Sequence, residues 1–200
     1  MRIVLSILFL LSCLATNAQK IHLIFVSATN DNSLVTATTN TERYFKNVFV
    51  PNLSRYFTVN SHFYSGNQFT KNNVDFSINS LIVNSNDVVI FYYCGHGYNV
   101  EGSNQKFPRL WMGDVDDSNS IWLSEIYSRL KNKNPRLLLT IAEACNRDVR
   151  SRANVISNGD FPPPKTYRIN ESSIRKLFSA SGYYIVSSCS RNQKSSFSNG

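Results

Sequence analysis

After its N-terminal leader the chain has no apolar run long enough to cross a bilayer, no C-x-x-C pair, no internal repeat and no linker that would set off a second domain. Each absence excludes a class of protein. Without a stretch of about 20 apolar residues there is no membrane span. Without paired cysteines in tight loops the usual structural zinc site is missing. Acidic residues are also scarce: 13 Asp and Glu face 21 Lys and Arg, a formal net charge of +8. The basic residues are scattered, with a looser cluster from Lys131 to Arg152, and no DNA- or RNA-binding signature accompanies them. The charge therefore reads as a soluble basic surface, with no nucleic-acid partner.

What is present begins with a leader. "MRIVLSILFLLSCLATNA" has a basic start at Arg2, an apolar run from Ile3 to Leu11, and small residues Thr16 and Ala18 ahead of a cleavage point. Residues 1–18 are read as a signal peptide and the mature chain as starting near Gln19, which predicts a secreted or periplasmic protein. "LLSC", ending at Cys13, supports a lipoprotein anchored at Cys13 as the alternative. Cleavage deletes only Arg2 from the charge count, so +8 becomes +7. Three cysteines then remain, Cys94, Cys145 and Cys189. An odd number in an exported chain implies at least one free thiol, and a thiol kept in an oxidising place usually has a use.

Residues 19–200 form one domain of alternating strands and helices. "KIHLIFVSA" (20–28), "TVNSHFYSG" (58–66), "DVVIFYYC" (87–94), "RLLLTIAEAC" (136–145) and "YYIVSSCS" (183–190) have strand character. "TERYFKNVFVPNLSRYF", interrupted late by Pro51, "NVDFSINSLIV", "IWLSEIYSRLKNKN" and "ESSIRKLFSA" have helical spacing. Residues 29–40, 98–120 and 146–168 read as loops. The alternation predicts an α/β fold, a mostly parallel central sheet with helices on both faces.

"VVIFYYCGHG" is the most informative stretch. Six apolar and aromatic residues make a strand buried on both faces, as parallel sheets require, and the strand ends on a histidine set between two glycines. Ligands and catalytic groups in such sheets gather just outside the carboxyl ends of the strands. Cys145 ends another buried strand, 49 residues after His96 with one helix between them, so the two strands can be parallel neighbours. A cysteine nucleophile needs a base nearby, and a histidine on the next strand can serve. Gly95 and Gly97 leave backbone N–H groups free to face an oxyanion. Glu143 lies two residues before Cys145, so strand alternation gives both the same face. Its carboxylate calls for a partner, either Arg147 or a substrate cation. Asp31, after the first strand, is read as a second acidic wall, with Ser187 and Ser188 flanking the same pocket. Cys94 and Cys189 are read as small packing residues, either of which could silence Cys145 by forming a disulfide with it.

"VVIFYYCGHG" followed by "PRLLLTIAEACNR", and then by "YYIVSSCSRNQKSS", resembles the caspase-like cysteine peptidases, closest to their metacaspase-type bacterial relatives. The resemblance spans about residues 20–200. It implies the three-layer caspase-like fold and a secreted cysteine endopeptidase. In that reading His96 is the general base or acid, Cys145 the nucleophile, and the Gly97 and Cys145 amides the oxyanion hole. The resembling enzymes carry an aspartate where Glu143 stands, lining a pocket for a basic residue, which implies a protein or peptide substrate cut after Arg or Lys. "SRNQKSS" lacks the acidic residues of calcium-dependent relatives, so neither calcium nor a cofactor is expected. The family continues into another helix and strand beyond the position of Gly200, so a domain lacking those last elements is the expectation. Two alternatives stand beside the enzyme: an inactive caspase-like binding module, and a metal site built from Cys94, His96, Cys145 and Cys189.

Overall fold

The structure, a computed structural model, describes residues 19–112, 117–146, 148–149 and 170–192. The leader at 1–18 lies outside the described residues. In chain order the elements are β1 (Lys20–Ser27), α1 (Val35–Tyr44), a π-helical turn (Phe45–Phe49) leading into α2 (Val50–Ser54), β2 (Thr58–Ser65), α3 (Lys71–Ser80), β3 (Val88–Cys94), β4 (Gly97–Val100), β5 (Arg109–Trp111), β6 (Ser120–Trp122), α4 (Leu123–Lys131), β7 (Leu137–Glu143), β8 (Asp148–Val149), α5 (Glu171–Ser179) and β9 (Gly182–Ser187).

Five strands form the main sheet in the order β2-β1-β3-β7-β9, and every neighbouring pair is parallel. All seven residues of β3 are buried, as its unbroken Val, Ile, Phe and Tyr content requires of a central strand covered on both sides. Alternate residues feed two cores. Ile24, Val26, Val89, Phe91, Tyr93 and Leu138 pack with Val74 and Ile78 of α3 and Leu123, Ile126 and Leu130 of α4. Ile21, Leu23, Phe25, Val88, Ile90 and Tyr92 pack with Phe45 and Leu53 of the α1–α2 segment and Ile174 and Phe178 of α5. The period of two along each strand thus divides the sheet between two helical layers, giving the three-layer α/β architecture expected of the sequence.

Three segments differ from the sequence reading. Residues 29–40 are not all loop, since α1 begins at Val35. Thr and Asn are weak helix formers, and this helix is held by tertiary contacts instead. Ala37 and Thr38 are fully buried, the Thr38 hydroxyl donates to the Ala28 carbonyl at 3.3 Å, and Ser27 of β1 donates to the Thr38 carbonyl. Pro51 does not end the helix. Just before it the Val50 N–H reaches back to the Phe45 carbonyl, a five-residue step, and this widened turn accommodates a ring that cannot donate. Residues 98–120 likewise carry structure. A second sheet in the order β6-β5-β4-β8 stands beyond the end of the main one. In it β4–β5 and β5–β6 are antiparallel and β4–β8 parallel.

Asp87 fixes the start of the central strands. Buried to 1% exposure, its carboxylate accepts from the Lys20 N–H at 3.0 Å and the Asn84 N–H at 2.8 Å, and meets His22 Nε2 at 3.2 Å. Its own carbonyl accepts from the Arg136 N–H, so one residue joins the heads of β1, β3 and β7. Burial works to raise this carboxyl, but the Asn84, Lys20 and His22 hydrogen bonds outweigh it and hold it below the usual carboxylate range. A depressed carboxyl contributes stability above its unfolded value, near 4, and loses it as pH falls through the folded value. Asp87→Asn is therefore expected to cost about 1–3 kcal/mol at neutral pH and to flatten the loss of stability on acidification. Urea unfolding at pH 7 and at progressively lower pH checks both; equal stability of the two proteins at pH 7 contradicts the assignment.

Candidate functional site

The three central strands end level. Ser27 pairs with Cys94 and Cys94 with Glu143. The ladder then runs one step further, through Ala28 N–H to the Cys94 carbonyl at 3.0 Å and Gly95 N–H to the Glu143 carbonyl at 3.2 Å. Beyond this rung lie three short turns, carrying Asp31, His96 and Cys145. Side chains below it are committed to the two cores, so the free functional groups collect here.

His96 and Cys145 are brought into adjoining turns. A Cβ at Gly97 would stand 2.6 Å from the Cys145 carbonyl oxygen and 2.7 Å from the Ala144 Cβ, so the residue after the histidine packs directly against the backbone around the cysteine. Cys145 is partly exposed while Cys94 and Cys189 are buried, and all three are free thiols. Among the described residues the Cys145 N–H makes no hydrogen bond. No group of three or more His, Cys, Asp or Glu side chains among them could hold a metal ion. The reading of Gly95 is corrected. Its N–H is taken by Glu143, and its missing Cβ makes room for the Tyr93 ring, whose hydroxyl would lie 2.6 Å away. That hydroxyl reaches the His96 and Trp111 carbonyl oxygens at 2.7 and 2.6 Å, and the Trp111 N–H also donates to the His96 carbonyl. The histidine backbone is therefore pinned from two elements.

His96 is 6% exposed, and its ring has an acidic neighbour that sequence could not assign to it. Nε2 lies 3.0 Å from Asp31 Oδ2 and 3.2 Å from Ser33 Oγ. Burial pulls the ring's pKa down, and the Asp31 carboxylate pushes it back up without cancelling the effect. Burial also works to raise Asp31, but hydrogen bonds from Ser33 and the charge of the His96 ring bring it below its ordinary value. Asp31 and His96 line a cavity of about 490 Å³ with Asn30, Asn67, Thr70 and Trp111.

Glu143 lies elsewhere. It does not line that cavity; its carboxylate accepts from the Tyr92 hydroxyl and from Cys94 Sγ at 3.5 Å. Burial, followed by the Glu143 charge, pushes both the Tyr92 phenol and the Cys94 thiol up, which keeps them neutral donors. Cys94 is thus more than a packing residue. The pocket read from sequence, with Asp31 and Glu143 as two walls, is divided. Asp31 opens on the side whose Ala28, Phe69 and Met112 belong to one core, while the partners of Glu143 belong to the other. Arg147, the internal partner considered for Glu143, lies outside the described residues. Ser188 braces the cysteine turn: its Oγ accepts from the Ala144 N–H at 3.1 Å and its N–H donates to the Ala142 carbonyl. Ser187 Oγ lies 3.5 Å from the Cys189 N–H.

Two asparagines escaped the sequence reading. Asn99 and Asn146 are both fully buried and joined at 3.0 Å through Asn99 Nδ2 and Asn146 Oδ1. Asn99 also donates to the Gln105 carbonyl, and Asn146 to the Lys106 carbonyl. They tie the chain leaving the histidine to the chain leaving the cysteine. The only sequence signal was two asparagines close behind the two reactive groups, in "GHGYN" and "ACN". Arg191, in "SRNQ", adds a two-point ion pair to Asp148 at 3.1 Å on each arm.

The model of the caspase domain matches residues 24–199. No curated protein matches the sequence. The close approach at Gly97 yields a test independent of any substrate. Gly97→Ala must displace backbone, because the clash is with a carbonyl oxygen and not with a flexible side-chain end. The variant is expected to lose about 1–3 kcal/mol of stability and to alkylate at Cys145 with altered kinetics. Thermal melting and peptide-mapped thiol labelling that both match the native protein would show that the turns are not in contact.

Proposed function

The chain belongs to the caspase-domain family of cysteine peptidases, and we propose that it is an exported cysteine endopeptidase that cuts protein chains after Arg or Lys, with Cys145 as nucleophile and His96 as acid and base. The observation that carries this reading is the contact of Gly97 with the Cys145 backbone, which sets a partly exposed thiol and a buried imidazole in adjoining turns at the level ends of two parallel strands. The export rests on the leader alone.

The chemistry follows from these groups. His96, a neutral base at rest because burial lowers its pKa, takes the Cys145 thiol proton. The thiolate attacks the scissile carbonyl carbon, and the Gly97 and Cys145 amides hold the resulting oxyanion. The imidazolium passes its proton to the leaving amine as the C–N bond breaks. Water, deprotonated by the same ring, then hydrolyses the thioester, releasing the carboxylic acid and restoring the thiol. Glu143 supports the preference for basic residues. Among the described residues its carboxylate receives only neutral donors, leaving its charge for a substrate guanidinium or ammonium.

Cys145→Ala should abolish peptidase activity without loss of fold, and His96→Ala should lower it comparably, because residues that act as a unit are not additive. Turnover surviving in Cys145→Ala would remove the nucleophile assignment and leave an inactive caspase-like binding module as the reading to pursue. Glu143→Gln should cost about 1.5–3 kcal/mol of transition-state binding, tenfold or more in kcat/KM, for Arg and Lys peptides. Labelling of Cys145 should change far less. Equal cleavage of basic peptides by the two proteins contradicts the pairing, and cleavage after Asp by the native chain contradicts it more directly.

Self-processing is a further part of this reading. Arg147, Arg150, Arg152, Lys165 and Arg168 follow the nucleophile and lie outside the described residues. Asp148, however, is held by β4 and by Arg191, so a cut after Arg147 has to strip β8 from the sheet, whereas later cuts do not. Fragments ending at Arg150, Arg152, Lys165 or Arg168 are expected from the native protein and not from Cys145→Ala. Mass spectrometry of the two, incubated side by side, checks this. Intact chains in both, under conditions where a peptide substrate is cleaved, would reject it.

A further inference from the structure

We propose that Asp31 is a positioning residue for His96, so that the working unit is Cys145, His96 and Asp31 and not a pair. The proposal rests on the reading of Cys145 and His96 above and changes the role of Asp31 from pocket wall to partner of the base.

Both Asp31 oxygens are committed. Oδ1 accepts the Ser33 N–H at 2.8 Å and the Ser33 hydroxyl. Oδ2 stands 3.0 Å from His96 Nε2. The backbone of Asp31 is fixed too, its N–H donating to the Ala28 carbonyl and its carbonyl accepting from the Leu34 N–H. A carboxylate cannot donate, and Ser33 Oγ has already given its proton to Oδ1. Both therefore face Nε2 as acceptors, which requires Nε2 to carry the hydrogen and leaves the lone pair on Nδ1. The ring is thus held in one tautomer, with Nδ1 as the base that receives the thiol proton. When it does, the new positive charge forms beside a carboxylate already in place.

The surroundings of the ring leave Asp31 no rival. From β3 comes the Tyr93 hydroxyl, neutral and engaged with the His96 carbonyl. From β5 comes the uncharged Trp111 indole, 5.5 Å away between centroids. From the turn after β7 comes the Cys145 backbone against Gly97. Among the described residues Asp31 is the charged group in contact with the imidazole.

Iodoacetamide separates this role from substrate binding, since it is uncharged and has no residue to place in a specificity pocket. Cys145 alkylation is followed by peptide-mapped mass spectrometry from about pH 5 to pH 9 in the native chain, His96→Ala, Asp31→Asn and Ser33→Ala. Asp31→Asn keeps the shape but presents an amide donor to Nε2, favouring the wrong tautomer and withdrawing the charge that stabilises imidazolium. Its labelling at pH 7 should fall at least tenfold and its rise with pH should move upward. With peptide substrate, kcat should fall with little change in KM. A folded Asp31→Asn with the native labelling profile overturns the proposal, and a raised KM for Arg peptides in that variant returns Asp31 to the pocket. Should Asp31→Asn fail to fold, Ser33→Ala, which removes the hydroxyl donor to Oδ1 and keeps the backbone N–H, is expected to shift the profile the same way by about threefold; an unchanged profile there overturns the proposal. If native labelling is indifferent to His96→Ala, the Cys145 and His96 unit falls and the proposal with it. If only the Asp31 and Ser33 variants match the native protein, the pair stands and the third member is removed.

Discussion

The site depends on one backbone constraint, the shared register of β1, β3 and β7. In a parallel sheet covered by helices on both faces, every side chain along a central strand belongs to one core or the other, and every backbone group along it is paired. Such a strand has no freedom for chemistry until its last rung. Because Ser27, Cys94 and Glu143 occupy the same rung, three turns leave the sheet at one level. A one-residue slip of β7 against β3 would exchange the faces of all its side chains, carrying Glu143 away from Tyr92 and Cys94 and moving Cys145 out of line with Gly97. The heads of the same strands are gathered on Asp87, so the register is set at one end and used at the other.

A second constraint acts past the rung. Free turns on a buried sheet would be mobile, and here they are tied to each other and to the small sheet. Gly97 touches the cysteine backbone, Tyr93 and Trp111 hold the His96 carbonyl, and Asn99 with Asn146 joins the two exits. Ser188 braces Ala144 from β9. Buried asparagines are costly unless their groups are paired, and here both carry partners from separate segments. Their burial therefore makes a specific arrangement of the turns the satisfied one.

The strands were legible because their composition is decisive: a run such as Val88–Tyr93 has no stable place except a covered strand. From strand ends, His96 and Cys145 followed by counting along the chain. The parts that were not legible share a physical reason, which is that they depend on contacts distant in sequence. The first helix is built from Thr and Asn whose propensity argues for loop, and it stands because Thr38 and Ala37 are buried on β1. The strands β4, β5 and β6 have three or four residues each, too short for any period to show. The partners that the structure describes for Glu143, Tyr92 and Cys94, come from the neighbouring strand, a contact that spacing along its own strand does not announce. Asp31 was singled out for its charge alone; that it meets His96 depends on Ser33 and the Ala28 turn folding it back over the strand ends.

The two carboxylates of the site show how environment assigns roles to like groups. Asp31 is held by Ser33 and a titratable ring, on the side of the sheet that opens to the cavity. Glu143 is held by a phenol and a thiol whose own ionisation is suppressed by burial and by the Glu143 charge, on the opposite side. A carboxylate next to an imidazole responds to that ring's proton and stabilises it when charged. A carboxylate next to neutral donors gains hydrogen bonds from them but no opposite charge. The two are separated by the sheet, so each meets its own set of partners. On that argument the pocket proposed for a basic substrate residue holds one acidic wall, Glu143, and not two.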